Sequence, residues 1–246
     1  IPVQRRFPTA SLRLAGKVTY DETNLAYITA WAPGRIDELF VDYTGLSVNK
    51  GDHMVQLYSP ELYSAQEELL QALRGMSALS NSGLNSLRAA AEGTVAAARD
   101  KLRRWGLTAA QIKQIEKSNK PTEHVTIYSP ASGVVIHKNA QQGMYVETGS
   151  RIFTIADLSA VWVQLDAYES DLQWLRYGQQ VDFTTEAFPG EKFKGRVAFI
   201  DPVLNAKTHT VKVRVNVDNS DQRLKPEMFV RAVVAARLAN DGNLVD

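Results

Sequence analysis

Two stretches of the sequence carry the same pattern of apolar, polar and glycine positions, and a long helical pattern lies between them. Each copy spaces a glycine, a valine and a second glycine three residues apart: Gly45, Val48 and Gly51 in the first, Gly143, Val146 and Gly149 in the second. Alternating apolar residues flank both copies. This arrangement is typical of a short strand, a tight turn and a return strand.

One such unit exposes an apolar face that it cannot bury alone. We therefore predict that the two copies, aligned without a gap from Ile36 and Val134 onward, pack together into one split β-sandwich. The four glycines are predicted to serve structural turns, where the chain needs a positive φ that glycine adopts without strain.

The stretch between the copies has helical spacing. Ser59, Pro60 and Glu61 form a helix-start signal: a serine N-cap, a proline in the first turn and an acid beside it. Apolar residues at gaps of three and four then indicate a coiled-coil seam: Leu62, Ala65, Leu69, Ala72, Met76 and Leu79. After a polar turn at 80–83, a second helix carries its own seam: Leu84, Leu87, Ala91, Val95, Ala98, Leu102 and Trp105.

A capping box at Thr108 and Gln111 opens a short third helix, which ends before Pro121. In an arbitrary protein, these helices would be an ordinary antiparallel hairpin without a partner. Because this hairpin is inserted between two half-domains, we interpret it as a projecting arm.

The pattern changes to strands after Asp157. The clearest strand runs from Thr210 to Val217, with valines on one face and polar residues on the other. Together with a strand near residues 12–20, the later segments make about six antiparallel strands, which suit a small barrel. The predicted modules are nested: a β-barrel at 10–24 and 159–236, a β-sandwich at 25–60 and 121–158, and the hairpin with its third helix at 61–120.

Composition narrows the function classes. The 246 residues carry 28 basic and 27 acidic side chains, and a net charge of +1 gives no field that favours nucleic acid. No apolar run has the roughly 18–20 residues that span a bilayer. Disulfides and thiolate metal sites are excluded because the chain has no cysteine. The chain begins at Ile1 without a signal peptide, so we expect a mature or trimmed fragment.

The nested order of the predicted modules, together with the residues that mark them, resembles the periplasmic adaptor (membrane fusion) proteins of tripartite efflux pumps. The resemblance covers nearly the whole chain. It is most similar to the CusB-type heavy-metal (copper/silver) branch. The motifs that carry the resemblance lie at 57–62, 127–135, 143–146, 156–163, 200–203, 210–215 and 224–228.

The resemblance implies a mixed α and β, elongated and modular protein. Its parts would be a split lipoyl-like β-sandwich with an inserted α-helical hairpin, a six-stranded antiparallel β-barrel, and remnants of a membrane-proximal domain at 1–9 and 237–246. It also implies a periplasmic protein, attached to the inner membrane by a segment not present in this chain. Such an adaptor links an inner-membrane resistance-nodulation-division (RND) transporter to an outer-membrane channel, self-associates in the assembled pump and needs no cofactor.

Two positions depart from the family pattern. Glu227 follows Lys225 and Pro226 where the family has glycine, which indicates a type I turn or mild strain. The channel-docking signature of drug-efflux adaptors is also broken, because Ala78 stands at its leucine position after Arg74. We nevertheless predict channel contact at the hairpin tip, through Arg74, Leu79, Ser80, Asn81 and Ser82. The alternative is that Leu79 simply ends the seam and that the polar run is a solvated turn.

Catalytic and metal sites are not expected. The histidines and methionines are dispersed, and no pair of histidines has helical i, i+3 or i, i+4 spacing: His53, His124, His137 and His209, and Met54, Met76, Met144 and Met228. We expect no binding of Cu(I), Ag(I) or Zn(II) tighter than micromolar. The sequence contains no nucleophile motif or P-loop, which argues against an enzyme. A lipoyl or biotin carrier would need a modifiable lysine at the turn that the helical arm replaces. A drug or other exporter remains the alternative to metal efflux.

Overall fold

A computed structural model describes residues 9–79 and 85–237. Ala26–Ala156 form one compact unit, and the described residues before and after it form a second. The strands, in chain order, are β1 Thr9–Tyr20, β2 Leu25–Thr29, β3 Gly34–Leu39, β4 Ser47–Val48, β5 His53–Tyr58, β6 His124–Tyr128, β7 Gly133–Lys138, β8 Tyr145–Val146, β9 Arg151–Ala156, β10 Ala160–Tyr168, β11 Gln180–Thr185, β12 Phe193–Ile200, β13 Thr210–Asp218 and β14 Phe229–Arg237. The helices are α1 Pro60–Ala78, α2 Asn85–Arg104 and α3 Ala109–Ser118, with short 3-10 segments at Glu22–Asn24 and Glu169–Trp174.

The second unit is a closed antiparallel barrel in the order β1-β10-β13-β12-β11-β14. The four valines of β13, from Val211 to Val217, are all buried and face the interior, as the alternation predicted. The predicted fold class is therefore confirmed for the barrel. Thr9 pairs with Arg237, so both belong to barrel strands. The rest of the predicted membrane-proximal remnants, at 1–8 and 238–246, lies outside the described residues.

The first unit contains two four-stranded sheets, β2-β9-β7-β4 and β6-β5-β3-β8. Each short strand pairs with the opposite copy of the repeat. β4 from the first copy pairs with β7, and β8 from the second copy pairs with β3. Neither copy can therefore complete its sheet alone, which confirms the split sandwich with an inserted hairpin.

Reciprocal hydrogen bonds at these junctions show how the copies correspond. The Gly143 N–H donates to the Ile36 carbonyl and the Gly45 N–H donates to the Val135 carbonyl, both at 2.7 Å. Ile36 is thus equivalent to Val135, so the expectation of a gap-free alignment from Ile36 and Val134 is wrong by one residue. A residue is missing from the second copy between its first strand and its glycine turn, where the chain is exposed and tolerates a length change.

The turn glycines all have positive φ, between 82° and 94°. We expect Gly45→Val and Gly143→Val each to lower the free energy of unfolding by about 1–2 kcal/mol, because a β-branched residue is strained in this region. Urea denaturation measures the change. Gly93→Val is the matched control, since Gly93 lies within α2 with open space at its Cβ position. An equal loss in the control would show that the backbone angle is not the cause.

Glu227 also has positive φ, at 70°. It is the third residue of a turn closed by a 3.2 Å hydrogen bond from the Met228 N–H to the Lys225 carbonyl. This is type II geometry, so the type I alternative is wrong and backbone strain remains at this position. The carboxylate of Glu227 lies 2.7 Å from Lys17 Nζ on β1, and its N–H donates to the Val18 carbonyl, which hold the turn against the barrel.

Candidate partner-binding surface

The helical hairpin is anchored in the core of the sandwich at its base. Ser59 caps α1 as predicted, since its hydroxyl accepts from the Leu62 N–H at 3.3 Å. The predicted capping box of Thr108 and Gln111 opens α3. The buried side chains of the helices join the same apolar cluster as the sandwich: Leu62, Ala65, Leu69 and Leu70 of α1, Val95 and Leu102 of α2, and Ile112 and Ile115 of α3.

A buried amide fixes the chain where it returns from the helices. Gln66 of α1 is fully buried, and its Nε2 donates to the Thr122 carbonyl at 3.0 Å. Its Oε1 accepts from the Thr122 N–H at 2.9 Å and from the Thr122 hydroxyl at 3.1 Å. All the polar atoms of the side chain face one residue, so α1 and the segment leading to β6 are held in one register. Sequence reasoning missed this link because its partner is far away in the chain.

Two ion pairs brace the helices near the same end. Lys101 Nζ of α2 lies 2.7 Å from Glu68 Oε2 of α1, and Arg99 Nε of α2 lies 2.6 Å from Glu116 Oε1 of α3. These side chains are partly solvated, so each pair contributes roughly 0–1 kcal/mol. The base is therefore held mainly by apolar burial.

At the opposite end of the hairpin, the residues that the structure describes form no buried core. We define the distal end as residues 71–79 and 85–94; none of these is buried. Ala72, Leu73 and Met76 are only partly buried, and Leu87, which the seam placed inside, is 49% exposed. The seam residues near the base are therefore buried as predicted, whereas those toward the distal end are partly or largely exposed. Leu87 and the partly buried apolar residues of α1 therefore leave some apolar surface on the described part of this end.

Two of the predicted tip residues are described. Arg74 is exposed and has no ion-pair partner among the described residues. Leu79 is half-buried and caps α1, where its N–H bonds back to the Gly75 and Met76 carbonyls at 3.3 and 3.2 Å. Ser80, Asn81 and Ser82 lie outside the described residues. Channel contact through these five residues stays a prediction.

A polar cluster on the sheet β6-β5-β3-β8 was not predicted. Asp37 Oδ1 accepts from Arg35 Nε at 2.6 Å, and Asp37 Oδ2 lies 2.8 Å from His124 Nε2. Asp37 is the extra residue of a bulge in β3, between Ile36 and Glu38. Its carboxylate therefore links β3 to the first residue of β6. A bulge cannot be read from residue types alone.

The hydrogen bond from Arg35, with a smaller one from His124, holds the pKa of Asp37 below its usual value. A lowered pKa stabilises the fold at neutral pH, and this contribution is lost as the pH falls from the unfolded pKa through the folded pKa. We expect Asp37→Asn to flatten the acid limb of a plot of unfolding free energy against pH. Asp42→Asn, at an exposed position, is the control. An unchanged acid limb in Asp37→Asn would contradict this role for the cluster.

The histidines and methionines are not gathered into a site. Within residues 9–79 and 85–237 no group of three or more His, Asp or Glu side chains has metal-binding geometry. The His53 ring packs between Phe40 and Tyr128, with centroid distances of 5.6 and 5.1 Å, and Met54 is fully buried. The expectation of no tight metal site stays a prediction.

A sandwich of two interleaved half-motifs, an inserted hairpin and a six-stranded barrel together define the membrane fusion proteins of efflux systems. Residues 25–156 match the family model described as the CusB barrel-sandwich hybrid domain, and 160–238 match the CusB-like β-barrel domain. The chain belongs to the CusB family of membrane fusion proteins, which are adaptors and not enzymes. None of the helices within the described ranges is both long and apolar enough to cross a bilayer.

Individual relatives agree with this assignment. The cation efflux system protein CusB of Escherichia coli K12 is 28% identical over 86% of this chain and 49% of that protein. The cobalt-zinc-cadmium resistance protein CzcB of Cupriavidus metallidurans is 24% identical over 90% of this chain and 44% of its own length. The crystal structure of ZneB from the same organism superposes with a TM-score of 0.62 at 26% identity, over 93% of this chain and 99% of that one. The chain spans about half the length of the first two relatives.

Proposed function

We propose that this chain belongs to a periplasmic adaptor subunit that links an inner-membrane RND transporter to an outer-membrane channel for the export of heavy-metal cations. Family membership supports the adaptor role. The names of two relatives, a cation efflux system protein and a cobalt-zinc-cadmium resistance protein, support a cation as the exported substrate. The adaptor acts in the periplasm, attached to the inner membrane, and self-associates in the assembled pump.

The observation that carries this proposal is the gradient of burial along the hairpin. Its base shares the core of the sandwich, so the arm is held rigidly where it leaves the domain. Its distal end has no buried residue among those described and keeps Leu87 largely exposed. A hairpin whose base is buried in the domain and whose distal end is only partly packed can pack its exposed apolar side chains against helices of another protein. Small contacts of this kind suit an assembly that forms and dissociates.

The exported ion is proposed from resemblance to the copper/silver branch, and a drug or other exporter is the alternative. The test is growth of a strain that lacks its own adaptor and carries this protein with its cognate pump. We expect restored tolerance to copper and silver salts. Restored tolerance to zinc, cobalt and cadmium alone would indicate that the exported ion is one of these cations and not copper or silver. Restored tolerance to organic compounds alone would favour the drug adaptor.

A further inference from the structure

The outer wall of the barrel is recessed where β11, β14 and β1 lie side by side. In register, Thr184 of β11 lies beside Arg231 of β14, and Arg231 lies beside Ala15 of β1. Ala15 is exposed and small, so the wall is lower here than at the longer side chains around it. The recess is a cavity of about 560 Å³, a volume typical of small-molecule sites. Val233, which is 44% exposed, also lines it.

A second cavity, of about 390 Å³, adjoins the first, because Ala15 and Arg231 line both. Phe229, which is 78% exposed, lines the second cavity. Phe229 and Val233 lie on the same face of β14, about 13 Å apart at 3.3 Å per residue. The two cavities therefore form one elongated recess over Ala15, with Val233 toward one end and Phe229 toward the other. We call it the barrel groove.

Unpaired cations line the Val233 end of the barrel groove. Arg13 and Lys192 both line the first cavity, and neither has an ion-pair partner among the described residues. Arg231 lies 2.8 Å from Glu186, but both side chains are 81% exposed, so the pair contributes little and leaves Arg231 available to a ligand. Among the described residues that line this cavity, the one acid is Asp182. The charge complement of this end is an anion.

The Phe229 end of the barrel groove is electrically balanced. Lys17 and Lys212 line the second cavity, and each lies 2.7 Å from a carboxylate oxygen, of Glu227 and of Asp166 respectively. A ligand is therefore given a direction: its anionic group belongs at the first cavity, and its apolar part belongs beside Phe229.

The closure of the barrel favours an alkyl chain over a peptide in this groove. Each strand of the wall is paired on both sides: β1 with β10 and β14, β14 with β1 and β11, and β11 with β14 and β12. An extended peptide laid against such a wall would bury its own N–H and carbonyl groups without backbone partners, which costs free energy. An alkyl chain has no such groups and gains from the burial alone.

We propose that the barrel groove binds a single-chain anionic amphiphile, such as a free fatty acid, in an extended form. The alkyl chain lies over Ala15 between Val233 and Phe229, and the carboxylate binds Arg13 and Lys192. Burial of the chain provides most of the binding free energy, and the two cations set its direction. The site lies on the barrel and does not depend on the proposed docking of the hairpin tip.

The first test is a titration of the chain with octanoate below its micelle concentration, followed by two-dimensional NMR. We expect amide shifts centred on Ala15, Thr184 and Val233. Octan-1-ol has the same alkyl chain without the charge and should bind about tenfold more weakly. Shifts centred elsewhere, or no shifts at millimolar octanoate, would overturn the proposal. Equal binding of the alcohol would overturn the anionic assignment.

The second test uses variants of the groove. Arg13→Gln with Lys192→Gln should weaken octanoate binding about tenfold and leave octan-1-ol binding unchanged. The control is Arg196→Gln with Lys207→Gln, which removes the same two charges at exposed positions outside both cavities and should bind octanoate as the wild type does. Equal weakening in the control would overturn the site, because only the net charge would matter. Ala15→Phe fills the recess at an exposed strand position, where an aromatic residue is tolerated, and should abolish binding of both probes.

Two further probes distinguish a free amphiphile from other anionic occupants. The peptide acetyl-Glu-Val-Glu-Val-Glu-amide and vesicles of phosphatidylglycerol present negative charge on a peptide and on a membrane surface. We expect neither to compete with octanoate. Displacement of octanoate by the peptide would assign the groove to a protein segment. Sedimentation of the chain with the vesicles, lost in Arg13→Gln with Lys192→Gln, would assign these cations to a membrane surface. Either result would overturn the proposal.

Discussion

The double variant Leu79→Asp with Arg74→Glu is expected to abolish metal resistance while the thermal midpoint of the isolated protein stays nearly unchanged. Arg74 is exposed, and the substitution keeps the backbone N–H by which Leu79 caps α1. If the tip contacts the channel, the variant removes an apolar anchor from that contact and reverses a charge. Placing an unpaired carboxylate in a small interface costs several kcal/mol, enough to prevent assembly.

Resistance in growing cells and the midpoint of the purified chain measure the two halves of this expectation. Glu67→Lys is the control, since Glu67 is an exposed residue toward the base of α1 and its charge is also reversed. The control should retain resistance. Wild-type resistance in the double variant would show that docking lies elsewhere, and a collapsed midpoint would show that Leu79 and Arg74 serve the hairpin fold.

Gln66→Leu is expected to cause a large loss of stability in the first unit. The leucine fits the volume but removes all three hydrogen bonds that Gln66 makes with Thr122. Loss of three hydrogen bonds, each contributing roughly 1 kcal/mol, should lower the free energy of unfolding by about 3 kcal/mol. Urea denaturation followed by tryptophan fluorescence measures it, because Trp31 and Trp105 lie at the base of the hairpin.

The same substitution at an exposed site of the same helix, Gln71→Leu, is the control and should change stability by less than about 0.5 kcal/mol. If Gln66→Leu were as stable as the wild type, the Gln66–Thr122 link would be dispensable and the hairpin base would rest on apolar packing alone. A loss of resistance in Gln66→Leu with unchanged stability would instead assign this residue to a partner contact.

Local features of the fold were predictable because neighbouring residues determine them. The serine cap of α1, the capping box of α3 and the alternating valines of β13 depend on spacings of two to four residues. The spacing of the seam residues was predicted from the sequence, but the extent to which each of them is buried was not. Leu87 has the right spacing and is still 49% exposed, because a period says which side faces inward and not how much protein lies there.

The remaining features depend on which distant segments meet. The exchange of β4 and β8, the one-residue offset between Ile36 and Val135, and the Asp37–His124 contact each require a register between strands far apart in sequence. The barrel groove is of the same kind, since its lining comes from strands that meet only in the closed barrel.

The sequence by itself determined that this protein has two half-motifs, an inserted helical hairpin and a barrel made from both ends of the chain. Periodicity and turn chemistry act within a few residues, and they mark each of these elements. Only the tertiary structure decided which strands pair, where the hairpin is firm, and where the wall of the barrel is recessed. Those outcomes depend on long-range burial and hydrogen-bond satisfaction, which no local pattern of residues can express.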